Sequence, residues 1–399
     1  MSLRSSAGES RAGGKGRTSA GAAPGGRLAV LDGVRVLAAL GVLLYHYFAL
    51  ASAWGEPPRN IFPIANRFAV YGWLGVEIFF LVSGFVICMS AWGRGVGDFA
   101  VSRISRLFPA YWVAVVFTAL VLFTWPEVRE VKAFSHVVVN LSMLQGGLGV
   151  PNIDDAYWTL FVELKFYVLF ALVVMRGVTY RNCVLFCAAW TLAGVVAPSA
   201  DSGVLSFFAA GASSPYFIAG IAFYLMRRFG QNAVLWAVVG VQFLLAQHHV
   251  HARMISSLGR AATGQTPAWP AHLIIALGFV LMAAIALGSL DRVQWRWLQH
   301  AGALTYPLYL IHMLAGLTFI HHFRRDVAPV PLVIGVIAGM LLLAWLIHRF
   351  VERPLGRLLR DRLRRGMQDI RSATASGPST GRFPAQPSAP EAERIPVSR

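Results

Sequence analysis

The feature that most restricts the fold is a series of long apolar runs separated by short polar loops. The first run, LDGVRVLAALGVLLYHYFALASAW, and the last, which begins near residue 328, are both long enough for the ~20 residues that a helix needs to cross a bilayer. Apolar residues make up 56% of the chain and charged residues only 13%. The runs are continuous rather than alternating, which disfavours a β-barrel. The sequence therefore predicts an all-α, polytopic transmembrane helical bundle.

The apolar runs predict about ten spans, with boundaries that tolerate shifts of several residues. They lie at 31–54, 69–92, 108–125, 158–175, 182–198, 213–226, 232–247, 271–290, 302–322 and 328–350. The segment 133–147 is apolar but contains His136 and Asn140, so we predict that it lies at the interface, with an extra span as the alternative. Ten spans put both termini on the side that holds most of the 35 Lys and Arg residues. That side is expected to be cytoplasmic, in a multi-pass protein of the plasma membrane.

The two ends of the chain differ in composition from the spans. Residues 1–27 are rich in Gly, Ala, Ser and Arg and are predicted to form a disordered cytoplasmic tail. Residues 28–355 form the predicted membrane domain, and 356–399 a basic amphipathic segment on the inner leaflet followed by a disordered tail. The net charge of +17 is therefore read as topology and lipid contact rather than nucleic-acid binding. No cluster of His and Cys has metal-ligand spacing, so no metal is expected.

Arg35 and His46 are the most informative polar pair inside an apolar run. Eleven residues are almost three helical turns, so the two side chains share a face and lie about 16 Å apart along the axis. Arg35 is expected at the membrane boundary and His46 near the centre of the bilayer, where ionisable groups mark functional paths. Glu77 in the second span is predicted at a similar depth, where it would orient His46. The alternatives are a structural core histidine and a structural ion pair of Glu77 with Arg35 or another polar group.

Two arginines precede the third predicted span in the stretch SRISRLFPAYW. Arg103 and Arg106 are three residues apart, which places them on one face of a helix. Paired guanidinium groups bind phosphate oxygens in bidentate geometry, and coenzyme A carries such phosphates. The alternative is that both arginines only set the membrane topology.

Further candidates lie in two other segments. In YWTLFVELKFY, Trp158 suits an aromatic belt, Glu163 is expected to pair with Lys165 or an arginine, and Tyr167 lies one turn further on. In TYPLYLIHM, His312 is placed near the middle of the ninth span. These residues are candidates for substrate contact, with a purely structural role as the alternative for each.

Taken together, six segments resemble the acyltransferase-3 family of integral membrane O-acyltransferases. They are LDGVRVLAALGVLLYHY, GVEIFFLVSGFVI, SRISRLFPAYW, YWTLFVELKFY, YPLYLIHM and VERPL, in the family's order over roughly residues 31–355. The resemblance implies ten transmembrane helices and transfer of an acyl group, commonly acetyl, from cytoplasmic acyl-CoA. The implied acceptor is a hydroxyl, usually on a sugar or lipid-linked glycan and sometimes on a small secondary metabolite. Glu77 departs from the Asp that is usual in the family, and the chain resembles the stand-alone form.

The resulting hypothesis is an O-acyltransferase that uses acyl-CoA as co-substrate and needs no tightly bound cofactor. His46 would act as general base on the acceptor hydroxyl or, less favourably, carry the acyl group. Glu77 would orient His46, while Arg103 and Arg106 hold the phosphates with help from Arg35. A transporter or flippase, in which the intramembrane charges line a path, and a sensory or scaffold protein are the rival classes.

Overall fold

The computed structural model describes residues 28–50 and 53–375, all of whose regular elements are helical. The predicted tail 1–27 and all but the first four residues of the predicted disordered tail 372–399 lie outside these described residues. The α-helices are α1 Ala29–Phe48, α2 Pro58–Ile61, α3 Pro63–Ala69, α4 Leu74–Ala91, α5 Val96–Thr124, α6 Phe134–Asn140, α7 Trp158–Met175, α8 Tyr180–Val196, α9 Gly203–Ala209, α10 Ser214–Phe229, α11 Ala233–Leu258, α12 Arg260–Gln265, α13 Trp269–Ala286, α14 Arg296–Ile311, α15 Leu314–Phe323, α16 Pro329–Ile347 and α17 Arg353–Ala375. Two 3₁₀ turns, Asp155–Tyr157 and Ala197–Ser199, and a π-helical turn, His348–Glu352, complete the set.

The predicted all-α membrane bundle is confirmed in its class. Within the described residues, eight helices are long and apolar enough to cross a bilayer. Two bent pairs, α9 with α10 (45°) and α14 with α15 (67°), bring the number to ten if each pair is one span. The count of ten and the cytoplasmic termini stay predictions. Helix α6 has seven residues and is about 10 Å long, which is too short to cross the membrane.

Helix α10 lies at the centre of the bundle and packs closely against α4. Every residue from Ser214 to Met226 is buried. A Cβ atom on Gly84 of α4 would lie 2.1 Å from the carbonyl oxygen of Phe217, and one on Gly220 of α10 would lie 2.2 Å from that of Leu81. The two backbones touch because only glycine fits at this crossing, as is typical of helix pairs in membranes. Helix α4 also packs on α1, which in turn packs on α14.

Helix α1 ends earlier than the apolar run predicts. It stops at Phe48 instead of residue 54, because side chains satisfy its last carbonyl groups. The indole N–H of Trp54 donates to the Tyr47 carbonyl (2.9 Å), and the Asn66 amide donates to the Phe48 carbonyl (2.6 Å). His46 therefore lies in the last turn of α1, and its expected depth near the centre of the bilayer stays a prediction.

Helix α11 is longer than predicted. It continues to Leu258, beyond the expected end at 247, because the buried face that begins at Leu235 continues through Ala246 and Val250 to Met254. This extension places Arg253 on a helix inside the bundle rather than in a loop. Helix α5 likewise starts at Val96, so that Arg103 and Arg106 lie on it.

The predicted ninth span is broken beside His312. Helix α14 ends at Ile311, and α15 begins at Leu314 after a bend of 67°. The Leu314 N–H donates to Oδ2 of the buried Asp154 at 2.8 Å, so a carboxylate caps the first turn of α15. A carboxylate at a helix N-terminus is favourable. The break fixes the orientation of His312, whose own carbonyl accepts the Tyr47 hydroxyl at 2.8 Å.

Candidate active site

One cavity is lined by all three predicted phosphate-binding arginines. This arginine cavity has a volume of about 70 Å³ and lies between α1, α4, α5, α7 and α14. Its polar lining residues are Arg35, Ser83, Arg103, Arg106, Thr159, Glu163, Tyr167, Thr305, Tyr306 and Tyr309. Its apolar walls include Phe79, Phe80, Val86 and Leu107. Five of the residues singled out from the sequence thus meet in a single space.

Glu163 is held in place within the arginine cavity. Its Oε1 accepts the Tyr167 hydroxyl at 2.5 Å and the Ser83 hydroxyl at 3.1 Å. The expected pairing with Lys165 is not formed, because that amine donates to the Phe207 carbonyl at 2.9 Å on the far side of α7. Of the two partners considered, the arginines are the ones that Glu163 faces: it is a charged neighbour of Arg35 in the cavity.

Two arginines that line the cavity each have a buried nitrogen donor without an acceptor among the described residues. The Nε atoms of Arg35 and Arg103 are both buried and have no hydrogen-bond partner in the described part of the chain. The Arg103 guanidinium lies 5.9 Å from the Phe99 ring and 6.0 Å from the Tyr167 ring, which fixes its position. A buried donor without an acceptor is destabilising by about 1–3 kcal/mol. The cavity therefore favours a ligand that supplies anionic or carbonyl oxygens.

A second cavity lies beyond the first and contains His46. This histidine cavity has a volume of about 460 Å³. Its aromatic and polar lining residues are Tyr45, His46, Trp73, Asp155, Trp158, Arg253, Ser256, Ser257 and Tyr309. Val76 and Tyr309 line both cavities, so the two spaces adjoin there. The Tyr309 hydroxyl is held by Thr159 (2.7 Å) and donates to the Ala156 carbonyl (3.1 Å).

The hydrogen bonds of His46 and His312 fix the tautomer of both rings. Nδ1 of His46 lies 2.8 Å from the Val42 carbonyl and 3.0 Å from Nε2 of His312. Nδ1 of His312 lies 2.7 Å from the Tyr309 carbonyl. A carbonyl only accepts, so each neutral ring carries its hydrogen on Nδ1. Nε2 of His312 then accepts from His46, and Nε2 of His46 keeps the free lone pair that a general base requires.

Glu77 does not make the predicted contact with His46. Its Oε1 accepts both Nε (2.7 Å) and Nη2 of Arg253, and Glu77 is completely buried. Among the described residues, His312 occupies the place beside His46 that the sequence interpretation gave to Glu77. The reason is the extension of α11. It brings the guanidinium group of Arg253 to the Glu77 carboxylate, for which it is a stronger partner than the His46 ring. The Arg253 guanidinium also lies 5.0 Å from the Trp158 ring.

The comparison with known families agrees with these motifs. A family model for the acyltransferase domain of the acyltransferase-3 type matches residues 28–349. The chain belongs to the acyltransferase-3 family. No solved structure shows significant similarity to it.

Several relatives of this acyltransferase have names that state their activity. Acyltransferase MdmB from Streptomyces mycarofaciens is 24% identical over 90% of this chain and 97% of its own length. The peptidoglycan O-acetyltransferase OatA from Listeria monocytogenes is 27% identical over 37% of this chain, and the match spans only 25% of OatA. The O-acetyl transferase of Shigella phage Sf6 is 28% identical over 43% of this chain and 54% of its own length. Together with the family, these relatives identify an O-acyltransferase and set aside the transporter and scaffold hypotheses.

Two residues of the acyltransferase site were missed in the sequence. The predicted span 232–247 leaves Arg253 in the loop that follows it. Arg253 nevertheless lies three residues after Val250 and seven after Ala246 on a continuing helical face. The predicted site residues do not include Tyr309 of TYPLYLIHM, although it lies one turn before His312. A search for helical spacing beyond the apolar run would have found the first, and i, i+3 pairing with His312 the second.

Proposed function

We propose that this protein transfers an acyl group, with acetyl as the expected group, from cytoplasmic acyl-CoA to a hydroxyl of a carbohydrate or glycan. The observation that carries the proposal is the pair of contacts at Nδ1 of His46, from which its tautomer follows. Its Nδ1 is engaged by Val42 and His312, and its ring lines the cavity that adjoins the arginine cavity. A free Nε2 in that position suits a base that acts between a donor and an acceptor.

The arginine cavity is the proposed donor site. Arg103 and Arg106 would bind phosphate oxygens of the acyl-CoA, with Arg35 deeper along the same path. The lining of the cavity by three arginines supports this assignment, because guanidinium groups bind phosphate oxygens. The positive-inside rule supports a cytoplasmic entrance, since these arginines lie on the side that is enriched in Lys and Arg.

The proposed chemistry is direct transfer. Nε2 of His46 removes the proton of the acceptor hydroxyl while its oxygen attacks the thioester carbonyl carbon. The C–S bond then breaks, and the thiolate of CoA leaves and takes the proton from His46. His312 is the positioning residue, because its Nε2 holds the His46 ring in the required tautomer. Walls of packed helices exclude bulk water, which would otherwise hydrolyse the thioester.

The histidine cavity is the proposed acceptor site. Trp73, Trp158 and Tyr45 give it aromatic faces against which a sugar ring can stack. Arg253 and Ser256 add polar groups, and the buried indole N–H of Trp73 has no partner in the described residues. Aromatic surfaces combined with a few hydrogen-bonding groups suit a hydroxylated ring.

A small hydroxyl-bearing secondary metabolite is the second candidate acceptor. The supporting observation is the size of the histidine cavity, about 460 Å³, which has room for such a molecule.

The test is acyl transfer by the purified protein in lipid nanodiscs. With ¹⁴C-acetyl-CoA and a panel of glycans and glycosylated metabolites, we expect labelled ester and an equal amount of free CoA. His46→Ala should abolish both products without changing the protein level or the melting temperature. If His46→Ala transfers acetyl at the normal rate, the mechanism is wrong, and if the wild type releases no CoA with any acceptor in either class, the donor or acceptor assignment is wrong.

A further inference from the structure

A cleft of basic side chains lies between α5 and the start of α17. It has a volume of about 540 Å³ and is open to solvent. We call it the basic cleft. Its lining residues are Ser102, Arg103, Ser105 and Arg106 from α5, Glu352 from the turn before α17, and Arg353, Gly356, Arg357 and Arg360 from α17. Five arginines thus face one space that holds a single carboxylate.

Helix α17 is docked on α5 where the basic cleft forms. A Cβ atom on the buried Gly356 would lie 2.9 Å from the Ser105 carbonyl oxygen, so the two backbones approach closely. Arg353, Arg357 and Arg360 are spaced four and three residues apart and therefore share one face of α17. The predicted position of this segment on the inner leaflet accounts for its amphipathic character but not for this contact with α5.

The arginines of the basic cleft are not neutralised from within the protein. In the part of the chain that the structure describes, none of the five forms an ion pair with a carboxylate. The single acid, Glu352, is bonded to Nδ1 of His348 at 2.7 Å. Nε of Arg353 bonds to Nε2 of His348 and Nε of Arg357 to the Arg353 carbonyl, which fixes the stems and leaves the terminal nitrogens available.

The basic cleft continues into the arginine cavity. Arg103 and Arg106 line both spaces. A wide basic cleft beside a narrower cavity that also has apolar walls fits a ligand with a polyanionic head and a slender tail. Acyl-CoA has this form: a diphosphate and a 3′-phosphate on adenosine, followed by a linear pantetheine arm that ends in the thioester.

We infer that Arg353, Arg357 and Arg360 of α17 complete the donor site by binding the nucleotide phosphates of acyl-CoA opposite Arg103 and Arg106. The inference rests on the proposed function. It adds α17, which follows the membrane domain, as a second wall of the proposed donor site. Pantetheine would then extend past Arg35 towards His46. Anionic lipid headgroups share the phosphate chemistry, so the experiment separates the two ligands.

The experiment measures the KM for acetyl-CoA and for acetyl-pantetheine with the full chain in phosphatidylcholine nanodiscs. The test variants are Arg357→Gln and Arg360→Gln, because glutamine removes the charge and keeps helix propensity. The matched control is Arg362→Gln, which lies about 200° round the helix from Arg360. We expect each test variant to raise the KM for acetyl-CoA by about tenfold, the effect of one charge-assisted hydrogen bond. The KM values of the test variants for acetyl-pantetheine should match those of the wild type. Both KM values of the Arg362→Gln control should also match those of the wild type.

Three results would overturn the inference. The first is an unchanged KM for acetyl-CoA in both test variants. The second is an equal change for acetyl-pantetheine, which would indicate a disturbed fold. The third is an effect that appears only when phosphatidylglycerol is added, with the KM unchanged in phosphatidylcholine, which would assign the cleft to lipid. A wild type that binds neither CoA nor its pantetheine fragment would instead contradict the proposed function.

Discussion

Nε2 of His312 lies 3.0 Å from Nδ1 of His46, and the two residues are 266 positions apart in the chain. This contact joins the last turn of α1 to the break between α14 and α15. It makes His312 a hydrogen-bond acceptor for the proposed base and leaves Nε2 of His46 free. The bend at Met313 and the carboxylate cap from Asp154 are what point the His312 ring towards α1.

The first prediction concerns His312 as a positioning residue. His312→Ala removes one of the two acceptors of the His46 Nδ1 hydrogen and leaves only the Val42 carbonyl, so the ring is held less firmly. We expect kcat to fall about 10- to 100-fold, the usual effect of losing a group that orients a histidine, with little change in the KM for acyl-CoA. Steady-state kinetics of the purified variant would measure both parameters.

The matched variant for this prediction is His312→Gln. Its side-chain carbonyl can also accept from Nδ1 of His46, so it should recover a part of kcat that alanine does not. A merely structural role would lower the melting temperature of both variants and leave kcat per folded molecule unchanged, and that pattern would contradict the assignment.

The second prediction concerns the buried pair of Glu77 and Arg253. Removing one member of a buried ion pair leaves the other charge without compensation, which destabilises by about 3–5 kcal/mol. The side chain of Arg253 is 16% exposed and can reach water in the histidine cavity, whereas Glu77 has 0% exposure. Arg253→Met should therefore lower the free energy of unfolding more than Glu77→Gln. Thermal unfolding in detergent would measure the order.

The double variant serves as the control for the pair. Because Glu77→Gln with Arg253→Met leaves no buried charge, it should be more stable than Arg253→Met alone. Additive losses in the double variant would show that the two side chains do not stabilise each other.

The sequence predicted the local features of this protein well. Apolar run length located the helices, and the spacing of Arg103 and Arg106 placed them together on α5. These features depend on residues close in the chain, where helical geometry decides which side chains share a face. The six family segments added the class of enzyme, which the comparisons confirm.

The sequence did not predict which side chains on distant helices bind each other. Depth estimates put Glu77 beside His46, but an arginine 176 residues further along the chain takes the carboxylate. The break beside His312 was missed for a similar reason, since its cause is Asp154, which lies 160 residues before the N–H that it caps. Such pairs depend on how the helices pack. The periodicity of apolar residues along the sequence does not encode this packing.

The third prediction is a pH dependence that arises from Asp154, which lies in the loop before α7. Burial raises the pKa of this carboxyl from its ordinary value of 3.8 to about 7, although the N–H groups of Ala156 and Leu314 partly oppose the shift. Between these values the folded protein binds a proton that the unfolded chain has released. Stability should therefore fall as pH rises from about 4 to 7, by ~1.4 kcal/mol per pH unit at most, and then level off.

Melting temperatures from pH 5 to pH 8 would test this sign. Asp154→Asn is the matched variant, because it keeps the shape and cannot ionise. Its melting temperature should be lower at pH 5, since the amide has one acceptor oxygen for two N–H donors, and should depend less on pH. A wild type that becomes more stable as pH rises, with a parallel curve for the variant, would contradict the role of Asp154.

The fourth prediction concerns the close crossing of α4 and α10. Gly84→Ala would place a methyl group 2.1 Å from the Phe217 carbonyl oxygen, and a backbone atom cannot move aside as a flexible side chain can. We expect a loss of about 3 kcal/mol, at the upper end for an overpacked core, seen as a lower melting temperature and a lower yield of folded protein. Gly335→Ala on α16 is the control, because a Cβ there meets nothing within 4 Å and alanine favours a helix. Equal losses in the two variants would show that the approach of the two backbones does not determine the result.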